Sequence, residues 1–105
     1  MNYKIITCIH DKKSDLFDAF IVHNNTNDAL RSFEMACQQN ETFKKWPEDY
    51  QLVLVSRISY ENGELNEKGE IQKQSQLTKS ELISTVIAEA KDFVKKENAK
   101  NTKKN

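Results

Sequence analysis

Tyr50-Gln51-Leu52-Val53-Leu54-Val55-Ser56-Arg57-Ile58-Ser59-Tyr60 is the stretch on which the fold turns. Read as an uninterrupted strand, its alternation sets Leu52, Leu54, Ile58 and Tyr60 on one face and Val53, Val55 and Arg57 on the other. Both faces are partly apolar, which predicts a central strand. Just upstream, Pro47 forces Trp46 towards an extended backbone, so any helix ends before it and Gln38 to Asp49 reads as a connection. Just downstream, Asn62-Gly63 tolerates the positive φ angles of a type I′ turn and predicts a two-residue hairpin. A short polar edge strand at Leu65 to Glu67 follows, then a loop at Lys68-Gly69.

Towards the N-terminus, residues 3 to 9 are rich in β-branched and aromatic types and read as a first strand. The polar run Asp11 to Asp15 is a turn, and Leu16 to His23 resumes strand composition, so the two pair as an antiparallel hairpin. Asn24 to Asp28 is dense in capping residues. It leads into Ala29 to Cys37, where Leu30, Phe33 and Cys37 recur at helical spacing. In the last third, Thr78-Lys79-Ser80-Glu81 has the form of a capping box. Leu82, Ile83, Val86, Ile87, Ala90, Phe93 and Val94 follow at i, i+3, i+4 spacing, which predicts an amphipathic helix over 78–97. The expected fold is α+β, a small antiparallel sheet with two helices in the order β-β-α-β-β-α. It forms one domain over 1–97, with 98–105 as a flexible basic tail.

The chain has 105 residues, enough for one core, and only two Gly and one Pro, too few for a flexible linker. No apolar run reaches the ~20 residues a membrane helix needs, and Met1 to His10 lacks the form of a signal peptide. The expectation is a cytoplasmic protein with no membrane partner, in which Cys8 and Cys37 stay reduced. Formal net charge is zero, but residues 1–90 hold ten Lys/Arg against fourteen Asp/Glu, whereas 91–105 hold six Lys against two acids. A domain that grips nucleic acid by charge alone is basic, and this one is mildly acidic. Any such contact must rest on a local patch, the tail, or stacking.

Catalytic signals are weak. Cys37 with a histidine lacks an oxyanion loop, and Gly63 and Gly69 lie in acidic turns without the Lys-Ser/Thr of a phosphate loop. His10 and His23, with Cys8 and Asp11, lack metal-ligand spacing, so neither an enzyme, a metal nor a cofactor is expected. His23 is expected to hydrogen-bond the turn entering the first helix. The segment Phe43-Lys44-Lys45-Trp46 has two readings. Its lysines meet phosphates while its rings stack on bases, or its rings plug the edge of the core while the lysines are solvated. Arg31 is expected to pair with Glu48 or Asp49, with a phosphate contact as the alternative reading. Arg57 is a cation displayed on the sheet, with Lys4 and Tyr3 beside it. Leu82, Val86, Ile87 and Phe93 form a stripe wide enough for self-association as well as for packing on the sheet.

One resemblance ties these segments together. His23-Asn24, then Ala29-Leu30-Arg31-Ser32-Phe33 with Ala36-Cys37, then Lys45-Trp46-Pro47-Glu48-Asp49-Tyr50-Gln51-Leu52 resembles the pattern HN, A-x-R-x-F-x-x-A-C, K-x-P-E-D-Y-x-L. That pattern belongs to the small non-structural protein of gokushovirus-type microviruses, circular single-stranded DNA bacteriophages. The resemblance covers roughly the first two thirds of the chain, and the expected C-terminal helix falls outside it. It implies a non-capsid viral protein of the host cell cytoplasm, binding single-stranded DNA non-specifically during DNA replication or packaging. The rival expectation is a protein-interaction module, either a host-factor modulator or an assembly partner, with no need of DNA.

Overall fold

The computed structural model describes residues 2–94. Strands β1 (Asn2–Asp11) and β2 (Leu16–His23) form the expected hairpin, with Ile5 opposite His23 and Asp11 opposite Leu16. Its turn is fixed by the Asp11 carboxylate, which accepts from the backbone N–H groups of Lys13 (3.0 Å) and Ser14 (3.3 Å). Helix α1 (Thr26–Gln39) starts where the Asn25 side chain accepts from the Asp28 N–H at 2.9 Å. Helix α2 (Glu41–Lys45) is capped in the same way by Asn40. A 3₁₀ turn, Pro47–Asp49, then feeds β3 (Tyr50–Glu61).

The main sheet is antiparallel in the order β2-β1-β3-β6, with β3 between β1 and β6 (Gln76–Glu89). A second ladder of β4 (Glu64–Leu65) and β5 (Ile71–Lys73) forms a tip beyond the β3–β6 hairpin. The Asn62-Gly63 pair is therefore a hinge between ladders, not a hairpin turn. Gly63 passes so close to the neighbouring chain that a Cβ there would lie 1.9 Å from the Lys73 carbonyl oxygen.

The α+β class, the antiparallel sheet and the two helices agree with expectation, but the second helix lies at 41–45. The expected helix over 78–97 is instead β6 as far as Glu89, followed by a 3₁₀ turn at Ala90–Asp92. Residues 95–97 and the expected tail, 98–105, lie outside the described residues. Two effects explain the strand. Ile83, Thr85, Val86 and Ile87 are β-branched and favour the pleated backbone, and β3 presents an edge that must be paired. The helical spacing is produced by bulges. Across from Leu54 and Ser56, β6 runs from Thr85 to Leu82, one residue too many, with Ser84 at φ +56; a further residue, Ile87, is inserted between Val86 and Ala88. Each insertion turns a period of two into a spacing of three or four.

A bulge in β3 has the larger consequence. Ile6 pairs with Ser56 but Thr7 pairs with Leu54, so Val55 is extra and the alternation of β3 reverses there. Leu52 and Leu54 face α1, whereas Ile58 and Tyr60 face the other way, contrary to the regular reading. On the helix side, Ile5, Ala29, Phe33, Cys37, Leu52 and Ala90 form the core, bordered by Ile9, Leu54, Phe43, Tyr50, Ile87 and Phe93. Phe93 meets Phe33 edge-on, with ring centroids 5.9 Å apart. The molecule measures 69 × 29 × 18 Å, and its radius of gyration, 18.9 Å, is far above the ~13 Å of a compact domain of this size.

Candidate nucleic-acid interface

The aromatic–lysine segment is built by α2 and its exit. Capping by Asn40 aims Phe43 inward, where its ring lies 4.7 Å from that of Tyr50 and 6.1 Å from that of Phe33. Phe43 packs on the edge of the core, as the structural reading of this segment expects. Trp46 is not, because the backbone leaves the helix at this residue ahead of Pro47. Its side chain is 53% exposed, and the Lys45 ammonium lies 5.4 Å from its ring centroid. Lys44 turns back to Glu41, 3.5 Å away.

A second cation–aromatic pair stands on the helix-side face of the sheet, beyond the reach of α1. The Arg57 guanidinium lies 5.5 Å from the Tyr3 ring centroid and 3.3 Å from Glu81, so Tyr3 stands beside Arg57 as expected. Lys79 reaches the same carboxylate at 2.8 Å, and this pair of cations holds the Glu81 carboxyl below its ordinary range, the Lys79 hydrogen bond contributing most. Lys4 does not join them. It sits on the opposite face and donates to Asn24. Trp46 precedes the start of β3 and Arg57 lies past its middle, with ~23 Å of strand between Tyr50 and Arg57.

Two further ion pairs join Lys12 to Glu89 at 3.2 Å and Lys91 to Glu48 at 4.0 Å. Glu48 thus pairs with the end of the chain's last described turn, and among the described residues no ion pair joins Arg31 to Glu48 or Asp49. The expected stripe of Leu82, Val86, Ile87 and Phe93 is split. Ile87 and Phe93 pack into the helix-side core, whereas Leu82 and Val86 stand exposed on the other face. The reason is the change from helix to bulged strand.

The two histidines are separated along β1. His10 stacks on Phe17 with centroids 4.5 Å apart. It accepts from the Gln51 amide at Nδ1 (2.9 Å), which leaves Nε2–H to donate to Asp15 (2.9 Å). His23 bonds the Thr7 hydroxyl at 3.0 Å rather than the helix-entry turn, and this satisfies the one buried polar side chain among the described residues. Cys8 and Cys37 are free and buried on opposite faces of the sheet. Burial raises both thiols, and with Glu34 nearby that of Cys37 is pushed up to about 11, so neither is a thiolate nucleophile at neutral pH. Among the described residues no three His, Cys, Asp or Glu converge as metal ligands, and no helix is long and apolar enough to cross a membrane.

Sequence reasoning missed the exposed apolar residues of β2, Leu16, Phe17, Phe20, Ile21 and Val22, which it took for ordinary strand residues. A lack of Lys or Pro along an edge strand is the signal that could have marked them. No curated protein and no solved structure matches the chain. The family model described as Phage ORF5 protein matches residues 4–93, and so takes in β6 as well as the segments that carry the sequence pattern. That match spans most of the chain from the first strand to the last turn, and the chain belongs to the Phage ORF5 protein family.

Proposed function

We propose that this phage protein is a non-structural protein of the gokushovirus type that binds single-stranded DNA in the host cytoplasm, without catalysis, during genome replication or packaging. The observation that carries this reading is the exposed Trp46 ring with the Lys45 ammonium beside it, held outside the core by the end of α2. A base stacks on such a ring while the ammonium meets its phosphate. Arg57 with Tyr3 repeats the arrangement farther along β3. Lys44 and Arg57 are already ion-paired, so the contact is weak in charge and depends on stacking.

Trp46 is the only tryptophan, so its fluorescence reports the contact directly. Titration with circular single-stranded DNA should quench it. Trp46→Ala should weaken binding by ~1–3 kcal/mol without altering the salt dependence, and replacing Lys44 and Lys45 with Ala should reduce the slope of log affinity against log salt by about one. No binding at low salt would remove this reading. An interaction module would then remain, a second reading favoured by the uncharged apolar side chains on the uncovered face of the main sheet.

A further inference from the structure

We propose that the face of the main sheet opposite α1 is the contact surface of a homodimer, in which two copies pack sheet against sheet. The register fixes which side chains this face carries. They are Ile6 and Cys8 of β1, Val22 of β2, Val53 and Ile58 of β3, and Leu82 of β6, with Tyr60, Leu77 and Val86 continuing the row. Cys8 and Val53, opposite each other at its centre, are nearly inaccessible, but Leu77 and Leu82 are 79% and 82% exposed.

A strand apolar on both faces needs a layer on each, and among the described residues only the helix side has one. Beyond α1 the sorting is sharper. Past the Val55 bulge, the helix-side face turns polar, with Arg57, Ser59, Lys79 and Glu81, while the opposite face carries Ile58, Tyr60, Leu77 and Leu82, interleaved with Lys4, Ser56 and Ser80. Where no helix covers the sheet, the apolar residues have been placed on the side away from it. The apolar residues still to be covered, Val22, Leu77, Leu82 and Val86, lie on that side.

A second copy is the cover that fits. Residues 95–105 contain Ala99 as their sole apolar residue, so these residues do not supply the layer. The face carries Lys4 at its margin, bonded to Asn24, and Glu89, paired with Lys12, so nothing on it repels an identical face in a chain of zero formal charge. Twelve residues of β3 and four strands give a face of about 40 by 17 Å, roughly 700 Å² per copy, close to the ~800 Å² per partner of a stable interface. Two such sheets stack face to face as in a sandwich, which leaves both Trp46 sites on the outside.

Sedimentation velocity on the full chain at tens of micromolar should give a dimer. Replacing Leu77 and Leu82 together with Lys should leave the circular dichroism spectrum unchanged, since both are solvent-exposed in the single copy, and raise the dimer dissociation constant by at least about tenfold. Replacing Leu65 and Ile71, equally apolar but on the tip ladder, should leave the dimer intact. The mass of the unmodified chain decides independently of whether any variant folds. A monomer, which is what a face reserved for DNA or for another protein would give, overturns the proposal. So does a dimer that survives the Leu77/Leu82 change or is lost with the tip change.

Discussion

The half of the sheet beneath α1 and the half beyond it use the same three strands, β1, β3 and β6, yet sort their side chains by different rules. Beneath the helix, Ile5, Ile9, Leu52 and Leu54 face it, and Cys8 and Val53 fill the other side, so both faces are apolar. Beyond it, the helix-side face is an ion cluster of Arg57, Lys79 and Glu81 with the Tyr3 ring. The bulge at Val55 is the boundary. A single inserted residue lets one strand serve a covered region and an uncovered one without a charge entering the first or an apolar row entering the solvent side of the second.

The sharpest way to break this comparison is to remove the cover. Phe33 joins α1 to Leu52 and Phe93, and Phe33→Ala should cost ~3–5 kcal/mol in denaturant unfolding. If the half beneath the helix kept its amide protection while the distal half lost its own, the assignment of the core to α1 would be wrong. A smaller effect is expected at the far end. Gly63→Ala drives a methyl group into the Lys73 carbonyl, and overpacking of this kind costs ~1–3 kcal/mol. Hydrogen exchange should rise in the tip, Glu64 to Lys73, with Ile5 and Leu52 unaffected; a general loss of protection would show that the tip and the core form one cooperative unit. Smallest is Glu81→Gln. The Glu81 carboxyl titrates below its unfolded value, so its stabilisation is present above the ordinary carboxylate range and fades as pH falls through the lowered value. The variant should match the unmodified protein in acid and fall slightly behind it near neutrality.

Much of the helix-covered half was legible in sequence. The turn at Asp11 to Asp15, the caps before Ala29, and the spacing of Leu30, Phe33 and Cys37 follow local rules that the structure obeys. The distal half was not, because bulges are set by pairing with another strand and leave no mark on the strand that carries them. In β6 they turn a period of two into the signature of a helix, and in β3 they send Ile58 and Tyr60 to the unexpected face. Helix α2 escaped notice because five residues hold too little periodicity to read. At the candidate site, the proximity of Arg57 to Tyr3 was visible from strand pairing. The inward turn of Phe43 and the outward turn of Trp46 depend on how α2 docks, and the sequence left both readings open.

The strand order β2-β1-β3-β6 also bears on how the chain reaches this state. Its two outer ladders are local, since β1 and β2 are joined by a short turn and β3 and β6 by the tip alone. The ladder between them joins Asp11 to Tyr50 and so closes a loop containing β2 and both helices. Loop closure is an entropic cost that no local contact offsets in advance, so the slow step is the meeting of two preformed hairpins along the β1–β3 seam. Until they meet, Ile5 and Leu52 lie on strand edges open to pairing with other chains, and the speed of that one encounter sets how long a newly made chain remains prone to aggregation.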